Sequence, residues 1–167
     1  MLPATASTYL EVQRFLIAET RLLDDSNWDT WLSLFTPDGI YWMPADPAQT
    51  DPLNHVSLMY DDATLRDLRC RRLRDRSESA AISLQPAPRC LRSLSNLEVF
   101  APEAAAAPDL FARANVIFAQ YSAPAVETYY ARVSWNLHRE ADQYFIRQKR
   151  VDLLNCDGLL SDILVFV

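Results

Sequence analysis

Two periods of hydrophobicity divide the chain. From Arg92 onward, apolar and polar residues alternate: Ala131, Val133, Trp135 and Leu137 are interleaved with Arg132, Ser134, Asn136 and His138. That is the period of a half-buried strand. Four segments share this character and are rich in β-branched and aromatic residues: RSLSNLEVF (92–100), LFARANVIFAQYSA (110–123), VETYYARVSWNLHRE (126–140) and QYFIRQKRVDLLN (143–155). SAPA (122–125) and EADQ (140–143) are short connectors, so these strands are expected to pair as antiparallel neighbours.

Upstream the period lengthens to that of a helix. Thr8 and Glu11 have capping-box spacing, and Phe15, Ala18, Leu22 and Leu23 follow at helical intervals. Ser26 is placed to cap a shorter helix, whose Trp28, Trp31, Leu32 and Phe35 fall on one stripe. TPDG (36–39) predicts a type I turn, with Pro37 presetting φ and Gly39 closing it, and IYWM (40–43) begins a strand. DDATLRDLRCRRLRDR (61–76) predicts a third helix with Leu65, Leu68 and Arg72 on one side and Asp61 or Asp62 as its cap. Helices first and a meander afterwards predict an α+β fold, with the N-terminal helices packed on one face of a curved, mostly antiparallel sheet.

Composition sets bounds on this picture. At 167 residues the chain is expected to form a single domain over 1–167, large enough to bury a core without disulfides or a structural metal. No run approaches the roughly 20 apolar residues that span a bilayer. MLPATASTYLEVQRF lacks the basic-then-apolar order of a secretion signal. A cytoplasmic protein with no membrane partner is expected. The net charge of −6 argues against nucleic acid as the principal partner. Cys70, Cys90 and Cys156 lie far apart and read as buried or incidental thiols.

Chemistry-bearing groups are sparse. There is no Gly-rich phosphate loop, no GxGxxG and no GxSxG. His55 and His138 are the whole histidine supply for an iron site of the two-histidine, one-carboxylate kind. No cysteine has a histidine or another cysteine near it in sequence, as Rieske motifs require. A self-contained iron or zinc centre is therefore not expected. His55 sits in the Pro/Asp/Asn-rich DPLNHVSLMYDD (51–62), where a local hydrogen bond or an interface accounts for it. His138 falls on the polar face of a strand, opposite a cross-strand partner. Asp38 is a turn residue, and Tyr41 and Tyr60 are either pocket donors or half-buried frame.

Arg66, Arg69, Arg71, Arg72, Arg74 and Arg76 crowd one helix, with Arg89 and Arg92 downstream. An RNA-facing surface is one reading. The interleaved Asp62, Asp67, Asp75 and Glu78, the acidic balance and the lack of an RNA-module motif favour an inter-subunit ion-pair network, because the guanidinium fork suits protein interfaces. A merely solvated face is the plainer alternative.

The order of these segments resembles a known family. AETRLLDDSNWDTWLSLFTPDGIYWMP, DPLNHVSLMYDD, LRDLRCRRL, RCLRSLSNLEV and IRQKRVDLLNCD follow one another as in the small (beta) subunit of bacterial aromatic-ring-hydroxylating dioxygenases. The resemblance runs from about Val12 to Val167. It implies the cone-shaped, half-barrel α+β fold shared with nuclear transport factor 2, ketosteroid isomerase and scytalone dehydratase. It also implies a trimer of small subunits beneath three large (alpha) subunits. The large subunit carries the Rieske [2Fe-2S] cluster and the mononuclear Fe(II), and a reductase, often with a ferredoxin, supplies electrons from NADH. The holoenzyme adds both atoms of dioxygen to an aromatic ring, commonly giving a cis-dihydrodiol.

In this family the small subunit is mainly structural, so the resemblance assigns no catalytic, cofactor-binding or metal residue to this chain. The subunit-interface expectation rests on Trp42, Tyr60, Asp61, Arg69, Arg72 and Arg92. The Trp28/Trp31/Leu32/Phe35 stripe is expected to pack the second helix on the sheet, with Tyr41 and Trp42 facing opposite sides of the first strand. The WMP–DPLNHVSLMYDD arrangement looks closer to relatives acting on aromatic acids than to those acting on biphenyl or naphthalene. The alternative from another class is a stand-alone isomerase, dehydratase or cyclase on the same cone. That enzyme would draw on Asp38, Tyr41, His55 and His138, with Tyr60 as a donor, around an apolar pocket.

Overall fold

The alternating half of the chain becomes a long-stranded meander and the helical half wraps it. The structure, a computed structural model, describes residues 1–74, 88–102, 109–160, 163 and 165–167. In chain order the elements are β1 (Leu2–Pro3), α1 (Ala6–Asp24), α2 (Trp28–Leu32), β2 (Phe35–Pro44), β3 (Ser57–Asp61), α3 (Ala63–Arg74), β4 (Arg89–Ala101), β5 (Asp109–Ser122), β6 (Ala125–Glu140) and β7 (Gln143–Leu153). One seven-stranded sheet runs β1-β4-β5-β6-β7-β2-β3. Every pairing is antiparallel except β2 beside β7. This is the expected α+β class with a mostly antiparallel sheet.

The meander follows its alternation closely. β5 and β6 pair without interruption from Asp109↔His138 to Ser122↔Ala125. Ala131, Val133, Trp135 and Leu137 point into the core, while Arg132 and Asn136 are exposed. β7 changes parity at an irregularity between its Ile146 and Gln148. Tyr144 and Ile146 face inward before it, and Lys149, Val151 and Leu153 after it. Val12, Leu16 and Leu23 of α1 and Trp28 and Trp31 of α2 close the core against Phe118, Val133 and Ile146. As expected, Trp28 and Trp31 of the second helix pack inward, but Phe35, expected on the same helical stripe, instead begins β2.

Several helical expectations are corrected. α1 starts one turn early: Thr5 is its N-cap, its hydroxyl accepting from the Thr8 N–H at 3.2 Å. The buried stripe is Val12, Leu16, Glu19 and Leu23, rotated from the expected one so that Ala18 is exposed. Ser26 does not cap α2. It ends α1, with φ of 56°, in a Schellman arrangement: Asn27 N–H bonds the Leu22 carbonyl at 2.8 Å and Ser26 N–H the Leu23 carbonyl at 3.3 Å.

TPDG lies inside β2 rather than before it. The step from Phe35 to Ile40 is matched on β7 only by Ile146 to Gln148, so the intervening residues arch outward. Gly39 is needed there for space, since a Cβ would lie 2.7 Å from the Ile146 carbonyl oxygen. Asp62 caps α3 as expected, accepting from Leu65 N–H at 2.9 Å. The inward face of α3, however, is Arg66 and Cys70, while Leu65 and Leu68 are 43% and 42% exposed. The expected helical end at 75–76 lies outside the described residues.

Candidate functional site

The interior of the cone holds charge. Glu19 of α1 and Lys149 of β7 are fully buried and meet at 2.6 Å. The Trp31 Nε1–H donates to the same Glu19 Oε1 at 3.0 Å. Helical spacing puts Glu19 in line with Leu16 and Leu23, and the parity change in β7 turns Lys149 toward it. Burial lowers the Lys149 pKa, and the Glu19 carboxylate opposes that. Glu19 Oε2 and Trp135 Nε1 have no hydrogen-bond partner among the described residues. The Lys149 ammonium stands 5.7 Å from the centre of the Trp135 ring.

A second charged group reaches inward from β4. The Arg92 side chain is 0% exposed. Its Nη1 donates to Asp24 Oδ1 at 2.5 Å and its Nη2 to the Phe166 carbonyl. Its guanidinium lies 4.6 Å over the Phe118 ring, and its Nε has no partner among the described residues. The Phe166 ring packs against Trp31, Tyr41 and Trp28 at centroid distances of 4.6, 4.9 and 6.4 Å. The Tyr41 hydroxyl accepts from the Val167 N–H at 3.1 Å, and burial raises that phenol's pKa. The chain's own tail thus fills the mouth of the cone.

Outside, the α3–β3 corner presents a different surface. β3 ends the sheet order, so its outer edge has no strand neighbour among the described residues, the kind of edge that invites pairing or cover. Beside it stand the outward leucines of α3 and Leu58, 38% exposed. Arg69 grips the buried Asp61 carboxylate through Nε at 2.5 Å and Nη2 at 3.3 Å. Arg69, Arg72, Met59, Leu73, Ile163, Val165 and Phe166 line a cleft of about 100 Å³.

The residues singled out from sequence fall into three places. Tyr60 and Arg69 are partly exposed and Arg72 is exposed, all on the α3–β3 corner. Trp42, Asp61 and Arg92 are buried within their own chain. Trp42 donates to Ser57 Oγ at 2.9 Å beneath the Arg150 guanidinium, 4.2 Å from the ring centre. Tyr41 and Trp42 are both covered within the chain. Arg66 and Arg74 are also spent within the chain, on the Gly39 and Asp61 carbonyls and on Asp29.

The enzyme candidates do not gather around a cavity. Tyr41 is in the core, and His55 is exposed on the loop before β3. His138 Nδ1 lies 2.9 Å from Asp109 Oδ1 and 3.2 Å from Arg147 Nη2 on the outer face of the sheet. Asp38 is exposed; a hydrogen bond from the Thr36 hydroxyl holds its carboxyl below the usual value, with Arg147 and His138 adding smaller attractions. Sequence reasoning missed Glu19, Lys149 and Phe166. The available signal was the Val12, Leu16, Glu19, Leu23 spacing and the parity of Lys149 with Val151 and Leu153. Among the described residues no three His, Cys, Asp or Glu side chains cluster as a metal site.

Comparison with known proteins places this geometry. A family model described as "ring hydroxylating beta subunit" matches residues 18–157. The chain is 42% identical over 99 residues to the 2-halobenzoate 1,2-dioxygenase small subunit of Burkholderia cepacia, across 56% of this chain and 58% of that protein. It is 36% identical over 97 residues to the toluate 1,2-dioxygenase subunit beta of Pseudomonas putida, across 55% and 58%. Each match thus spans 58% of the relative's length. Among solved structures, the beta subunit of the benzoate 1,2-dioxygenase from Burkholderia mallei aligns over 99% of this chain and 100% of that one, with 26% identity and a TM-score of 0.70.

Proposed function

The chain belongs to the ring-hydroxylating beta-subunit family, and from that premise we propose that it is the non-catalytic small subunit of a cytoplasmic aromatic-ring-hydroxylating dioxygenase. The observation that carries the reading is the family match over residues 18–157 on a fold whose interior is filled by its own side chains. The partner is a separate large subunit bearing the Rieske [2Fe-2S] cluster and mononuclear Fe(II), in an assembly of three small and three large subunits built on a small-subunit trimer. The relatives' names point to an aromatic carboxylic acid as the substrate of the whole enzyme, through halobenzoate, toluate and benzoate. The product is a cis-dihydrodiol.

The α3–β3 corner supports a scaffolding role. Leu65 and Leu68 are large apolar side chains left outside the monomer, and desolvating them needs a second chain. Arg72 stands exposed beside them with a forked donor that suits a protein partner, while the Nε–Nη2 fork of Arg69 is held by Asp61. The test is co-expression with a large subunit of a ring-hydroxylating dioxygenase from the same source, reading native mass, iron content and NADH-dependent turnover of benzoate. An iron-free chain that becomes part of a larger, iron-bearing, benzoate-oxidising assembly supports the reading. A chain that stays apart from that partner, or turns over a small substrate alone, overturns it.

A further inference from the structure

The guanidinium of Arg92 is only half used where it meets the tail. Nε and Nη2 share one edge of its plane, spaced to hold two oxygens of a carboxylate side by side. In this fold Nη2 donates to the single oxygen of the Phe166 carbonyl and Nε to no atom among the described residues. The side chain is fully buried, so the unmet donor is costly. The opposite edge is already committed to Asp24, which holds the free edge aimed at the tail.

The space beside that edge has the form of an aromatic cage. Trp31, Tyr41 and Trp28 surround the Phe166 ring, and the Tyr41 hydroxyl meets the Val167 amide. The Phe166 ring and carbonyl are joined through one Cβ and one Cα. That connectivity, ring to two carbons to carbonyl, is the skeleton of 3-phenylpropanoate. A carboxylate in place of the carbonyl supplies the second oxygen that Nε lacks. Val165 and Phe166 also line the cleft whose polar members are Arg69 and Arg72; Arg69 is paired with Asp61, so Arg72 supplies the positive charge beside the way in.

We propose that the cone retains a binding site for a small arylalkanoate, with Arg92 Nε and Nη2 taking the carboxylate and Trp28, Trp31 and Tyr41 enclosing the ring. At rest the site is filled by the chain's own Phe166. The tail is a competitor for the site, and a ligand of this class enters by displacing it. The site lies in this chain alone and does not depend on the large subunit.

Calorimetric titration of 3-phenylpropanoate into the full chain, a chain lacking Val165–Val167 and a Phe166→Ala chain tests the proposal, with propylbenzene as the neutral control. Both variants should bind the acid about tenfold or more tightly than the full chain does, and about tenfold more tightly than propylbenzene, the scale of a forked charge-assisted contact. Arg92→Lys in the shortened chain should remove that preference and leave propylbenzene binding unchanged, because an ammonium cannot reproduce the fork. In the full chain, saturating acid should speed exchange of the Val167 amide hydrogen. If the variants lose their fold, added 3-phenylpropanoate should restore a cooperative melting transition. Binding with no preference for the acid, a preference that survives Arg92→Lys, or unfolded variants that the acid does not rescue would each overturn the site.

Discussion

β6 and α3 carry similar side chains and use them in opposite ways. On β6, Arg132 faces out and Leu137 is fully buried; on α3, Arg66 is 2% exposed while Leu65 and Leu68 lie at the surface. A strand held between two neighbours has its faces set by backbone pairing, and β6 is paired along its length by β5 and β7. A helix at the rim can rotate, and its rotation follows whichever anchor is strongest. For α3 that anchor is Arg66, whose guanidinium meets two carbonyls and lies 4.1 Å from the centre of the Phe35 ring. Its aliphatic stem tolerates burial while Nη1 donates to both carbonyls, although Nε has no partner among the described residues. The leucines are left outside, where a partner can use them.

The meander has one exception to its own rule, the inward Lys149, and the largest expected effect lies there. Glu19→Ala leaves that ammonium buried without its carboxylate and should cost about 3–5 kcal/mol in chemical denaturation. The double replacement Glu19→Met with Lys149→Met should be close to neutral or stabilising, since the desolvation of both charges is then avoided. A double variant as unstable as the single one would show that the cluster acts through shape rather than charge.

The same change made in both regions separates them next. Leu137→Ala in β6 should cost about 2–5 kcal/mol, the range for a fully buried leucine. Leu68→Ala in α3 should stay within about 0.5 kcal/mol for the isolated chain yet weaken association with the proposed large subunit. Equal losses of stability would erase the contrast between the two elements.

Alkaline pH acts on both regions through buried acids. Burial pushes the Cys70 thiol of α3 from its ordinary 9.0 up to about 12. Burial, aided by a hydrogen bond to Glu11, pushes the Tyr144 phenol of β7 from 10.0 to about 12. Each raised acid is still neutral in the fold when the unfolded chain has ionised. Its stabilisation is therefore whole below the unfolded value and is lost as pH rises through the folded one. Lys149, lowered by burial, works in the opposite sense. Stability should fall between pH 9 and 12, and Cys70→Ala should flatten the first part of that decline. An unchanged slope in that variant would remove Cys70 from the account.

The smallest expected effect is a gain. Ser26 holds a left-handed conformation at the end of α1, where glycine carries no Cβ penalty. Ser26→Gly should raise stability by about 0.5–1 kcal/mol, read as a higher denaturation midpoint. A loss would mean that the Ser26 side chain contributes more than its backbone conformation costs.

Amino-acid order alone determined the four long strands, their short connectors, the α+β class and the aromatic stripe of α2. Each depends on a period or turn preference that neighbouring residues express among themselves. It also carried the family, because the motifs follow one another in a specific order. The tertiary structure decided which way α3 turns, where TPDG sits, and that Trp42, Asp61 and Arg92 are enclosed by their own chain. It decided as well that Glu19 meets Lys149 across 130 residues and that Phe166 fills the cone. Pairings of that kind depend on the distance between elements, which only packing sets, and on which donors and acceptors remain unmet once the backbone has satisfied its own.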